Sequence, residues 1–220
     1  RILTREDIYS WELNFFRSLE NMNIDKIDTY FVHNINDLKK DGSEFLKNWL
    51  VSLKDRNLVG KIGSSIYNSE DLNLIPDELL EVVQLPLSIY NQTLLRDGTI
   101  SYLRDKNTLV CVRSLFLQGL LLTDTSSWPI WFGEEEKKHH DSFLNFARDK
   151  NLSMIELCLD FVKKIEEIDI VILGFTSIEE FIEVCSIWNY DKKEINCDYR
   201  KWHINNQKYL DPRNWPKKVT

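Results

Sequence analysis

The stretch Ile27-Asp28-Thr29-Tyr30-Phe31-Val32-His33-Asn34 decides how the chain is read. β-Branched and aromatic residues run into an abrupt polar end. Such a run predicts a buried parallel strand that terminates in an imidazole. Where strands and helices alternate around a barrel, the C-terminal ends of the strands carry the chemistry. Taken alone, His33 reads first as a polar residue satisfied at a strand end. The other strand ends decide whether it is more than that.

Working outward, Ile8, Trp11, Phe15, Leu19 and Met22 recur at three-to-four spacing. They predict an amphipathic helix over residues 5–21, behind a capping-box-like Thr4-Arg5-Glu6-Asp7. Ser43 is expected to cap a second helix with Leu46, Trp49, Leu50 and Leu53 on one face, ended by Asn57 and Gly60. Residues 61–65 read as a strand running into a small-residue turn. Residues 81–86 read as a strand stopped by proline, 109–114 as one buried on both faces, and 168–174 as the last. Helical segments are expected at 69–74, 99–106 and 134–149. Two more are expected, at 154–164 behind the capping box Ser153-Met154-Ile155-Glu156, and after Ser177. His139 and His140 are assigned to the charged side of their helix, without a metal role. The aromatic loop from Thr123 to Gly133 is either a pocket wall or packing. The tail from residue 191 is polar, with a helix around 199–207.

Strands thus end near His33, Ser65, Pro86, Ser114 and Gly174, with helices between them. That alternation predicts parallel βα units with right-handed crossovers. A closed (β/α)8 barrel needs eight strands and typically ~250 residues. Spacing alone therefore leaves two architectures, an open doubly wound sheet or a barrel without its first three units.

Composition narrows the function. The chain has 220 residues, 43% hydrophobic and 29% charged, which suits one sizeable α/β domain over 1–220. A formal charge of −7 and the absence of a long Lys/Arg block argue against a nucleic-acid partner. No apolar run approaches the ~20 residues of a membrane span. The four cysteines, Cys111, Cys158, Cys185 and Cys197, show no zinc spacing. They suggest a reducing, cytoplasmic compartment and no metal.

Five segments, in order, resemble the aldo-keto reductase family over about residues 5–215. Ser18-Leu19 with Ile27-Asp28 and Tyr30-Phe31-Val32-His33 is similar to the family's "SL…DYIDLYLIH". Val59-Gly60-Lys61-Ile62-Gly63-Ser64-Ser65 is similar to "GKIRAIGVSN". Val83-Gln84 matches the end of the sixth family strand. Arg113-Ser114-Leu115-Phe116-Leu117-Gln118-Gly119-Leu120-Leu121 is similar to "YSPLAQGLL", and Leu173-Gly174-Phe175-Thr176-Ser177 to "PGARS". A bacterial subgroup with "QLPxNxxDQR" and "RSxFLQGLLL" segments is closer still. Ser88, Asn91 and Thr93 depart from the first of these, and residues 113–122 match the second.

The resemblance implies a (β/α)8 TIM barrel of aldo-keto reductase type, of which this chain covers about strands 4–8, N-terminally incomplete. It implies an NAD(P)(H)-dependent oxidoreductase that interconverts a carbonyl and an alcohol, with a small-molecule, sugar-related carbonyl as a suggested substrate. Of the family's catalytic tetrad only the His is matched, at His33. The Asp, Tyr and Lys belong to the first three units, so the chain by itself is expected to be inactive. Cofactor contacts carry over residue by residue. Ser65 and Gln84 align with the residues that hold the nicotinamide carboxamide, while Ile66 replaces an Asn. Arg113 stands where many relatives stack a Tyr on the nicotinamide. Ser114, Phe116, Gln118 and Gly119 align with the pyrophosphate loop. Gly174 leads to the phosphate-binding helix end. Thr176 replaces the Arg that holds the 2′-phosphate of NADP, which leaves NAD or mixed use open. Glu183 aligns with an adenine contact, and Val184 replaces its companion Asn. The alternatives are a nicotinamide-binding barrel without turnover and, disfavoured by the single strand-end His, a metal hydrolase.

Overall fold

The computed structural model describes residues 1–190 and 195–216; the parts of the polar tail at 191–194 and 217–220 lie outside the described residues. Five strands form one parallel sheet in the order β1 (Ile27–Val32), β2 (Val59–Ser65), β3 (Val82–Pro86), β4 (Leu109–Arg113) and β5 (Ile170–Val171). Strand order equals chain order, as successive right-handed βα crossovers require. Contacts divide the chain into two compact units that alternate along the sequence. The first holds residues 1–85 and 98–111, and the second holds 86–97 and 112–220.

In the first unit, α1 (Asp7–Met22) and α2 (Ser43–Asp55) flank β1. The ring of Phe15 is fully buried. It meets Tyr30 edge-on at 5.4 Å and Trp49 at 6.4 Å. Burying such a ring contributes about 1.5–3 kcal/mol. Glu12 then ties α1 to α2, accepting from Trp49 Nε1 at 2.7 Å and pairing with Arg56 at 2.6 Å. β1 and β2 pair in register from Ile27 opposite Val59 to Val32 opposite Ser64. β2 pairs with β3 from Gly63 opposite Val82 to Ser65 opposite Gln84. Glu81 closes the adjoining corner, accepting from Ile62 N at 2.9 Å and Lys54 Nζ at 2.6 Å.

Some expectations for this unit need correction. The N-cap of α2 is Gly42, at φ 81°, and Ser43 is the first helical residue without a capping bond. A Cβ on Gly42 would lie 2.0 Å from the Leu3 carbonyl oxygen, so the close approach requires glycine. Gly60 lies inside β2, with the Asp28 carbonyl where its Cβ would be, and Asn57, left-handed at φ 56°, makes the turn instead. Asp7 reverses the expected N-terminal box. Its carboxylate accepts from the backbone N–H and hydroxyl of Thr4 and pairs with Arg1. Segment 69–74 is a 3-10 helix capped by Asn68 and Asp71. A short helix, α3 (Thr93–Arg96), which belongs to the second unit, precedes α4 (Thr99–Asp105), and the sequence pattern does not signal it.

In the second unit, α5 (Glu134–Asp149), α6 (Met154–Lys163) and α7 (Ile178–Asn189) follow β4. The capping box on α6 forms as expected, Ser153 Oγ accepting from Glu156 N at 3.1 Å and Glu156 accepting from Ser153 N at 2.6 Å. The last strand is shorter than expected, two residues instead of 168–174, with Ile170 and Ile172 exposed. The 123–133 loop is packing rather than an open wall. Trp128 and Phe132 are buried, and Phe132 stacks on Tyr209 at 4.8 Å. The tail forms a 3-10 turn at Tyr199–Trp202 and one helical turn, α8 (Gln207–Leu210), in place of one helix.

His140 is completely buried, against the expectation of a charged-side residue. Its Nε2 donates to the Thr123 carbonyl at 2.8 Å, which leaves Nδ1 to accept from the Tyr90 hydroxyl at 2.7 Å. Tyr90 is itself fully buried. Gln92 donates to the carbonyls of Ile89 and Tyr199, at 2.6 and 2.7 Å, tying the tail to the segment after β3.

Candidate active site and cofactor clefts

The first-unit candidates sit at the C-terminal ends of β1, β2 and β3. His33 follows the last residue of β1 and is exposed. It borders a cleft of about 460 Å³ together with Asp7, Trp11, Tyr30, Asn34 and Lys40. Asn34 turns the backbone there, its side chain accepting from Asn36 N at 3.2 Å. Tyr30 is a packing residue. Its ring meets Phe15 and Trp49 edge-on, and burial pushes its hydroxyl pKa above the usual phenol value.

Ser65 and Gln84 are brought together by the β2–β3 register. In a parallel pair, residues in register project to the same face. The Ser65 hydroxyl donates to Gln84 Oε1 at 3.4 Å. Ser65 is buried and Gln84 half-buried, so a serine hydroxyl and a primary amide occupy one strand-end position. Such a set matches an amide ligand, which needs both a donor and an acceptor. Ile66 is fully buried in the core, so it supplies no polar contact where relatives carry Asn. Ser64 Oγ is buried without a protein partner, on the opposite face by strand alternation.

The second-unit candidates line one cleft of about 740 Å³. Arg113, Ser114, Phe116, Gln118 and Gly119 come from the end of β4 and the loop after it. Gly174, Thr176 and Glu183 come from the segment after β5 and from α7. The β4 loop is wound from left-handed residues, with Ser114 at φ 65°, Leu117 at 47°, Gln118 at 57° and Gly119 at 84°. Alternating right- and left-handed residues curl the backbone so that its N–H groups form a concave surface suited to anions. Leu115, Leu117 and Leu121 are buried and anchor this loop from beneath. Side chains built on Gly119 and Gly174 would meet nothing within 4 Å, so the cleft is open at both glycines.

Charge in the cleft is unevenly placed. Arg113 supplies its one cationic side chain, and Glu180 and Glu183 supply carboxylates. Arg113 also acts on Asp211. Burial opposes ionisation of that carboxyl, but hydrogen bonds from Arg213 and the charges of Arg213 and Arg113 hold its pKa below the usual value. Glu180 is a residue that the sequence reading passed over as part of a helix cap. Its carboxylate accepts from Thr176 N at 2.7 Å and from Thr176 Oγ1 at 2.8 Å. Those bonds hold its pKa below the usual value, the backbone bond first. The signal was the Ser177-Ile178-Glu179-Glu180 pattern. Ser177 Oγ does accept from Glu180 N at 3.2 Å, and the glutamate reaches one residue further back than a capping box implies.

Among the described residues no group of three or more His, Cys, Asp or Glu could hold a metal ion. All four cysteines are free, Cys111 and Cys158 in the core. No described helix is long and apolar enough to cross a membrane.

Comparison with known proteins agrees with this layout. No curated protein sequence matches the chain at a significant level. Among solved structures, the aldo-keto reductase AKR11C1 from Bacillus halodurans, in its apo form, superposes with a TM-score of 0.67 at 18% identity. The match covers 95% of this chain and 70% of that one. Its holo form gives a TM-score of 0.66, again at 18% identity, covering 94% of this chain and 68% of that one. The glycerol dehydrogenase AKR11B4 from Gluconobacter oxydans gives 0.55 at 14% identity, covering 86% and 68%. At these identities the likeness is one of fold. The sequence model of the aldo/keto reductase family matches residues 9–197, most of the chain. The chain belongs to the aldo/keto reductase family.

Proposed function

We propose that this chain carries the carbonyl-facing histidine and the nicotinamide-nucleotide contacts of an NAD(P)(H)-dependent oxidoreductase that interconverts a carbonyl and an alcohol. As a family, aldo/keto reductases reduce carbonyl compounds with NAD(P)H. The observation that carries the reading is the gathering of Arg113, Ser114, Phe116, Gln118, Gly119, Gly174, Thr176 and Glu183 around one cleft. Their donor set fits a nucleotide diphosphate, with curled backbone, a guanidinium and open glycines. When bound, the nicotinamide supplies the hydride.

The chain's own residues bind and orient. Ser65 and Gln84 fix the carboxamide, and hence the ring face presented. Arg113 stacks on a flat ring or meets a phosphate. His33 donates a hydrogen bond to the substrate carbonyl oxygen and polarises it. A neutral imidazole is a weak proton donor to the alkoxide that develops there, which in this family falls to a Tyr tuned by Lys and Asp. No motif of this chain matches those three residues, and Tyr30 and Tyr90 are packed away from strand ends. Binding without turnover is therefore the expected behaviour of the 220 residues, in one aldo-keto reductase-like domain corresponding to strands 4–8 of the barrel. The same observation favours the second reading, a nicotinamide-binding barrel that never turns over. A sugar-linked carbonyl is the substrate class suggested by the resemblance.

The test is calorimetric titration of the folded chain with NADH and NADPH. Binding of at least one nucleotide is expected, weakened about tenfold or more in Gln84→Ala. That loss corresponds to roughly 1.4 kcal/mol, in the range of a buried hydrogen-bonded contact. A folded chain that binds neither nucleotide overturns the proposal. Loss of carbonyl-dependent NAD(P)H oxidation in His33→Ala of a catalytically competent sample would separate the oxidoreductase from the non-catalytic reading.

A further inference from the structure

We propose that the Glu180 carboxylate makes this cleft selective for NAD(H), whose adenosine ribose has a free 2′-hydroxyl, over NADP(H), whose ribose is 2′-phosphorylated. This rests on the cleft being the nucleotide site described above.

The geometry is specific. Glu180 reaches from the first turn of α7 back over the residues that lead into it. One of its oxygens accepts from the Thr176 amide and the other from the Thr176 hydroxyl, at 2.7 and 2.8 Å. An N–H at the entrance to a helix is the group that an incoming phosphate would use. Here a carboxylate of the chain already holds it. The internal anion takes the donors and brings a negative charge with it.

The two riboses answer this arrangement differently. Each carboxylate oxygen has two lone-pair sites. One bond on each leaves room for a hydroxyl to donate, so a 2′-hydroxyl gains an acceptor. A 2′-phosphate has oxygens in place of that donor and carries about −1.5 to −2 charge at neutral pH. It would face Glu180 and Glu183, with Arg113 as the cleft's one cationic side chain. Thr176 brings no charge to offset the repulsion. Other sites that distinguish these riboses use the same chemistry, an acidic side chain for the 2′-hydroxyl and an arginine for the 2′-phosphate.

Glu180 is exposed, so its field is partly screened and the selectivity depends on salt. The test is titration calorimetry of the full chain with NADH and with NADPH, at low and at high ionic strength. We expect NADH to bind about tenfold or more tightly at low salt, with the gap narrowing as salt rises. Glu180→Gln keeps an acceptor for the Thr176 amide and removes the charge. It should bring the ratio below about threefold, mainly by tightening NADPH. Glu180→Lys should reverse the preference. Thermal unfolding of each variant establishes that it is folded. Equal affinities in the parent chain, or a preference that Glu180→Gln leaves unchanged, would overturn the role of Glu180 and leave the cofactor assignment standing. Failure of a folded parent chain to bind either nucleotide would overturn the cofactor reading and this inference together.

Discussion

His140 shows how one buried side chain links local chemistry to stability. Its ring is enclosed, donating to Thr123 and accepting from Tyr90. Burial holds its pKa below the ordinary 6.5, against the upward pull of the Thr123 carbonyl and of Asp141 and Asp124. The unfolded chain therefore takes up the proton first as the pH falls. Stability is complete above about pH 6.5 and is lost below it, with a slope of up to ~1.4 kcal/mol per pH unit until the folded form titrates. Urea unfolding between pH 7.5 and 5.5 should show this decline. His140→Asn should flatten it, leaving the smaller contribution of His203, whose pKa is lowered chiefly by burial too. An identical slope in the variant would show that His140 is not its source. At the same scale, the residues aligned on the cofactor were legible because their chemistry is local. Glu180 was not, because its partner depends on how far a side chain reaches across a turn.

At the level of elements, three glycines distinguish backbone demand from packing demand. Gly42 and Gly98 are both left-handed, at φ 81° and 84°, and each precedes a helix. A Cβ on Gly98 meets nothing within 4 Å, whereas on Gly42 it would run into the Leu3 carbonyl at 2.0 Å. Gly98→Ala should therefore cost only the left-handed penalty, about 1–2 kcal/mol. Gly42→Ala should cost clearly more, because Leu3 must also move and its backbone bond to the Asp41 carbonyl breaks. Denaturant midpoints of the two variants check the order, and equal losses would refute the steric argument. Gly60 sits in mid-strand beneath the Asp28 carbonyl, which is why a turn signal in the sequence became a strand residue. Helix periodicity located α1, α2, α5, α6 and α7 well. It misplaced the cap of α2 and lengthened β5, since apolar residues 170–173 look like a strand whether or not a neighbour pairs with all of them.

At the scale of the whole molecule, each unit buries a core and also presents an apolar helix face. On α1, Tyr9, Leu13 and Phe16 follow helical spacing and are exposed, Tyr9 at 87%. On α7, Ile178, Phe181 and Ile182 are exposed as well. Contiguous exposed apolar surface of this kind binds hydrophobic dyes and promotes association. The chain should enhance anilinonaphthalene sulfonate fluorescence in its native state despite its net charge of −7. Leu13→Glu and Phe181→Glu should each reduce the signal without lowering the unfolding midpoint. Dye binding no greater than that of an ordinary folded control would show that these faces are covered in solution.

The sequence by itself determined the alternation of parallel strands and helices, the strand ends that carry polar residues, and the family. These follow from period, turn chemistry and short motifs, all local along the chain. Tertiary structure alone decided the rest. It turned His140 inward onto Tyr90, converted the 123–133 aromatics into packing, set Ser65 beside Gln84 through strand register, and gave the Thr176 donors to Glu180. Each outcome depends on which distant groups meet and on what water is excluded. No pattern of neighbouring residues encodes that, because the same side chain is a surface charge, a cap or a ligand according to what folds against it.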